Sequence, residues 1–210
     1  MNIRAGQKAC ETAAFDAAAN YFRVARELMG SLGWQTEPNK MLLIYCEEAN
    51  VCFINGDKET MNMLIDEVLM RDIPVVEKFR ALEVKLLSLQ AAQKFEESIT
   101  TALQFRRELG LAAPPNKPAS KITVLKEYLK TTRTLKGLTA DEIVALPELK
   151  DERIILGQRI LEIIIPATFQ AQPTLFPLIV FLLVRTSVKY GINSSSCDAF
   201  ATYGLLMVSV

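Results

Sequence analysis

A chain of 210 residues, half of them hydrophobic, can bury a sizeable core as one domain or as a section of an extended array, which excludes intrinsic disorder. Lys plus Arg and Asp plus Glu number 24 each, so no general field attracts nucleic acid or an anionic membrane, and protein partners suit the balance better. There is no histidine, and Cys10, Cys46, Cys52 and Cys197 stand in apolar helical patterns without ligand-like spacing; they read as reduced core residues of a cytoplasmic protein, with no metal or cofactor implied.

Taken in order, the first thirty residues scatter charge and lack an apolar h-region, so they do not read as a signal peptide. Residues 2–13 and 15–29 are expected to form a first antiparallel helix pair, ended by Gly30 and Gly33. In its second helix Ala18, Phe22 and Ala25 alternate small, aromatic and small residues at helical spacing, which lets a partner helix approach while the ring fills the groove. Gly6, twelve residues before Ala18, marks the same close approach on the first helix.

The second pair is expected over about 38–71, with a turn at Asn55-Gly56-Asp57 and marks at Ala49, Met61, Ile65 and Val68. The third follows the break at Asp72-Ile73-Pro74, with marks at Leu86, Ser98, Ala102 and Phe105 and a stop at Gly110. Twelve residues separate the first-helix mark from the second-helix mark in every pair, and the second-helix marks 18, 61 and 98 are 43 and 37 residues apart. A hairpin of this kind cannot bury both apolar faces alone, so it requires stacked neighbours.

Residues 112–118, AAPPNKP, are expected to be a rigid connector. Ser120 is placed to cap a basic amphipathic helix running to about Lys136, with Ile122, Leu125, Leu129 and Leu135 apolar and Lys121, Lys126, Lys130, Arg133 and Lys136 basic. Thr139 and Glu142 have capping-box spacing for a short helix closed by Pro147. Helical pairing resumes over 151–190, with Pro166 expected to kink the first helix, Pro173 to start the second and Gly191 to end it. The run LFPLIVFLLV at 175–184 is ten residues long, short of the roughly 20 needed to span a bilayer, and reads as a buried helix. Residues 194–196 are expected to cap a last apolar helix over 197–210; an array ending on it lacks a polar cap, which marks a fragment of a longer array.

The expected fold is therefore all-α: a right-handed superhelical array of antiparallel helix pairs. It has three parts, residues 1–111 as three pairs, 112–150 as the connector with the basic and short helices, and 151–210 as a further pair plus the first helix of a next repeat. The small–aromatic–small second helix and the twelve-residue offset resemble degenerate tetratricopeptide repeats, whose ideal length is about 34 residues, although the first-helix tryptophan is absent and only Gly6 supplies the glycine. A helical bundle with alanine-rich contacts is the plainer alternative. Segments such as AGQKACETAAFDAAANYFRVARELMG, ALPELKDER, FQAQPTLFPLIVFLLVRTSVKYG and AFATYGLLM further resemble the helical-repeat region of large signalling proteins. In those proteins a serine/threonine kinase-like domain and an AAA-type ATPase precede the region, and a GAF plus histidine-kinase module often follows it.

That resemblance implies a sensor or arm region. No catalytic residue is implied, because the chain has no GxxxxGK[ST] or GxGxxG and no histidine for a catalytic loop or phospho-acceptor. In a stacked array the first helices line the concave side. Counted from Ala49 and Leu86, the residues facing it are Cys46, Asn50 and Phe53 in one pair and Arg80, Glu83 and Gln90 in the next. The expected function is a non-catalytic scaffold contacting proteins, peptides or neighbouring domains of the same polypeptide. A free-standing adaptor with a peptide in its concave groove and a small-effector sensor arm are the alternatives.

Overall fold

The computed structural model describes residues 1–114 and 118–208; part of the expected connector and the last two residues of the expected final helix lie outside them. The described residues are helical, with no β-strand and one isolated parallel bridge, Glu148 to Ile192. They divide into two compact units, Met1–Ser88 and Leu89–Val210.

The first unit holds α1 (Asn2–Glu11), α2 (Phe15–Met29), the single turn α3 (Gly33–Thr36), α4 (Pro38–Asn55), α5 (Lys58–Met70), a 3-10 turn (Val75–Lys78) and residues 79–88 of α6 (Phe79–Ala91). Ala18, Phe22 and Ala25 of α2 pack with Ile44 and Val51 of α4 in one cluster. Gly6 is buried, and a Cβ there would stand 2.8 Å from the Phe22 ring, which is why this position of α1 takes glycine. A second cluster joins Tyr45, Cys46 and Ala49 of α4, Met61, Ile65 and Val68 of α5, and Ala81 and Val84 of α6. Burial of each large side chain here contributes about 1.5–3 kcal/mol. Gly30 ends α2 at φ 57, as a terminator should. Gly33 does not end a helix: it opens α3, where a Cβ would lie 2.7 Å from the Met41 sulfur, so close packing rather than termination selects it.

The second unit holds the end of α6, then α7 (Phe95–Glu108), α8 (Lys121–Leu135), α9 (Ala140–Val144), α10 (Glu152–Ala171), α11 (Leu175–Tyr190) and α12 (Ser194–Val208). Here α10 packs on α7 and α11, and α11 also receives α8 and α12. Ser120 accepts from Thr123 N at 3.1 Å to cap α8, and Thr139 with Glu142 forms the capping box of α9. The helix α10 runs on through Pro166, which stands inside it. The helix α11 starts at Leu175, two residues after Pro173, and α12 starts at Ser194, so the serines form its first turn. Residues 175–184 are largely buried. Among the described residues one helix, Glu152–Ala171, is long and apolar enough to cross a membrane, with mean hydropathy 1.3 over its most apolar window, half of which is buried inside the protein.

Three hairpins turn in the same way. Ala13, Gly56 and Gln93 have left-handed backbone, at φ 55, 80 and 59, and each stands two residues before the next helix. In each, that residue's N–H donates three residues back, to Cys10, Phe53 or Gln90, and the following N–H donates five back, to Ala9, Cys52 or Leu89, at 2.8–2.9 Å. This is the Schellman pattern, which satisfies the last carbonyls of the first helix. It recurs at the 43- and 37-residue spacing of the sequence marks.

In one helix the apolar residues face solvent together with the basic ones. Ile122, Leu125 and Leu129 of α8 are 67, 55 and 42% exposed, whereas Thr131 is fully buried. The cause is Arg185 of α11, which donates to Glu127 Oε2, to Thr131 Oγ1 at 2.7 Å and to the Glu127 carbonyl at 3.2 Å. A guanidinium 14% exposed on its side chain needs those acceptors, and supplying them turns the polar side of α8 inward with Tyr128, whose ring lies 6.1 Å from Phe181.

Candidate functional site

Between α4 and α6, within the first unit, lies a groove of about 150 Å³ lined by Cys46, Glu47, Asn50, Arg80, Glu83, Val84 and Leu87. Its α4 wall comes from positions i, i+1 and i+4, one side of a helix; its α6 wall from 80, 83, 84 and 87 is the matching stripe. Helix α4 is fixed by its opposite side, where Ile44, Ala49 and Val51 are fully or almost fully buried, and α6 by Ala81 and Val84 in the core.

The groove is polar at its rim and apolar at its base. Arg80 donates to Glu47 at 2.9 Å across it, with side chains 57 and 21% exposed, an interaction of the solvated kind worth no more than about 1 kcal/mol. Beneath the pair, Cys46 is 4% exposed. Burial pushes its thiol up to about 11; Arg80 pulls the other way, and Glu47 adds to the rise. A thiol held neutral in this way is not a nucleophile near pH 7. The arrangement can bind: it offers an amide, a guanidinium, two carboxylates, the buried Val84 and, at its exposed edge, Leu87.

Of the six residues placed on the concave side by sequence, the structure brings together Cys46, Asn50, Arg80 and Glu83. Phe53 is half-buried against the core cluster of the first unit. Gln90, in the second unit, donates from its amide to the Ile163 carbonyl at 3.0 Å. Sequence reasoning missed Glu47, Val84 and Leu87. The first had a usable signal, since it lies three residues before Asn50 and adjoins Cys46 on the same helix.

Elsewhere in the first unit, Glu48 is 2% exposed and is held by Arg26 at 2.7 and 3.0 Å in a bidentate pair. The Glu48 hydrogen bond raises the Arg26 pKa against the opposing effect of burial. This carboxylate is fully engaged in holding α2 to α4. The neighbouring carboxylates Glu47 and Glu48 thus face different ways, one to the groove and one to the core, as residues 100° apart on a helix must.

No protein-family model matches the chain, and no solved structure matches it. The sequence is similar to part of the hybrid signal transduction histidine kinase G of Dictyostelium discoideum, with 22% identity over 235 aligned residues that cover 99% of this chain and 7% of that protein. The chain thus spans about 7% of the length of the relative it matches, and the similarity connects it with one segment of a signalling protein.

Proposed function

We propose that this chain is a non-catalytic, tetratricopeptide-like segment of a multidomain signalling ATPase or kinase, and that it holds an extended protein or peptide segment in the α4/α6 groove. The observation that carries this reading is the convergence of Cys46, Asn50, Arg80 and Glu83 on one groove, at the positions a concave face requires. The repeated Schellman turns support a stacked-hairpin array, and the similarity to part of a histidine kinase supports a signalling context. Volume favours a peptide side chain over a metabolite: about 150 Å³ is below the roughly 300–1,000 Å³ of drug-sized ligand sites. Asn50 suits a peptide backbone because one amide supplies both donor and acceptor, and Arg80 suits a carboxylate.

The test starts by panning a random-peptide display library on the full chain and measuring recovered peptides by fluorescence anisotropy. Asn50→Ala with Arg80→Ala is expected to weaken them tenfold or more, with far-UV circular dichroism and Tm unchanged. Undiminished binding would place the peptide site elsewhere. Unfolding of the double variant would overturn the assignment of these residues to a surface.

A further inference from the structure

The outward face of α8 is a second surface, in the other unit from the groove. Ile122, Leu125 and Leu129 recur at i, i+3 and i+7 and form one exposed apolar stripe along two turns, about 10 Å long. Lys121 lies on one side of it, Lys126 and Arg133 on the other, and Lys136 follows at the C-terminal end. These four cations are exposed, as is Lys130 farther round, and none of the five is paired with a carboxylate among the described residues. The helix has one acidic residue, Glu127, which is turned inward to Arg185. In a chain of zero net charge, this is a local concentration of positive charge around an uncovered aliphatic stripe.

We propose that this face docks an acidic amphipathic helix of a protein partner. The argument is charge complementarity joined to shape. An aliphatic ridge of i, i+3, i+7 spacing packs into the groove of another helix, and cations flanking it match Glu or Asp at the flanks of the incoming one. An anionic membrane fits less well. Interfacial helices immerse a broad apolar face of Trp, Phe or Leu, whereas α8 exposes three aliphatic residues with cations close on both sides, and its one aromatic residue, Tyr128, faces inward to Phe181.

The experiment uses the full 210-residue chain and a labelled 15-residue helical peptide with leucines at i, i+3 and i+7 flanked by glutamates, read by fluorescence anisotropy. A scrambled peptide of the same composition and phosphatidylserine/phosphatidylcholine vesicles serve as competitors. The amphipathic peptide is expected to bind at least tenfold more tightly than the scrambled one, and affinity should fall as salt is raised. Leu125→Asp and, separately, Lys126→Glu with Arg133→Glu should each lose tenfold or more; these residues are exposed, so Tm should hold. If Leu125→Asp lowers Tm, the charge-reversal pair decides. Equal binding of both peptides, indifference to the reversal pair, or binding to vesicles alone would overturn the proposal.

Discussion

At Ala13 and Gln93 the backbone does what L-residues resist. A left-handed conformation costs an alanine or glutamine about 1–2 kcal/mol relative to glycine, while a new glycine returns roughly 0.5–1 kcal/mol to the unfolded chain as entropy. The first term is the larger, so Ala13→Gly and Gln93→Gly should each stabilise the protein, by about 0.5 kcal/mol, read as a rise in the urea midpoint. Gly56 is the internal control: it holds the same conformation at φ 80, and Gly56→Ala should destabilise by a similar amount, about 0.5 kcal/mol. A loss of stability in both glycine variants would mean that the side chains at 13 and 93 contribute more than the turn geometry costs. At this scale the sequence was legible at Asn55-Gly56-Asp57, where the glycine announces the turn. Helical pairing placed the first break between residues 13 and 15, but neither Ala13 nor Gln93 announces a left-handed backbone, because alanine and glutamine carry no turn signal.

At the scale of elements, the seam between α7 and α10 depends on what one glycine leaves out. Arg106 of α7 is 3% exposed, donates to the Ala112 carbonyl at 2.8 Å and to the Gly157 carbonyl of α10, and burial brings its pKa down to about 10. A Cβ at Gly157 would stand 2.6 Å from Arg106 Nη1 and also strike the Leu111 side chain. In an exposed helix Gly→Ala gains up to about 1 kcal/mol; here overpacking costs roughly 1–3 kcal/mol, and the clash wins. Gly157→Ala should therefore lower stability by about 1–2 kcal/mol in urea denaturation, and any increase would show that the seam is loose. Helices were legible wherever apolar spacing and caps agreed, as at Ser120 and Thr139. The exposure of the apolar residues of α8 was not, since nothing in that helix announces the buried arginine of α11 that draws Glu127 and Thr131 inward. The groove was legible for the same reason as the helices: four of its residues follow from counting along α4 and α6, whereas Gln90 lies one turn past the groove and its amide meets Ile163.

For the whole molecule, two units with cores of their own raise the question of how far they unfold together. Helix α6 runs unbroken across the boundary at Ser88–Leu89 and carries Leu86, fully buried, on one side and Leu89, 8% exposed, on the other. Stability is not uniform across a chain with two compact units, so a defect in one unit weakens the other only in part. Trp34, the single tryptophan, sits in the first unit with its ring 5.1 Å from Tyr45 and Arg71 over its face at 4.5 Å. Its fluorescence therefore reports that unit, while far-UV circular dichroism reports helices throughout. Gly157→Ala strikes the second unit alone, so in urea the circular dichroism midpoint should fall while the tryptophan midpoint moves less than half as far. Ile65→Ala, a buried large-to-small change costing about 2–5 kcal/mol in the first unit, should lower the tryptophan midpoint the more. Equal shifts of both probes in both variants would mean that the continuous α6 couples the two cores into one cooperative transition.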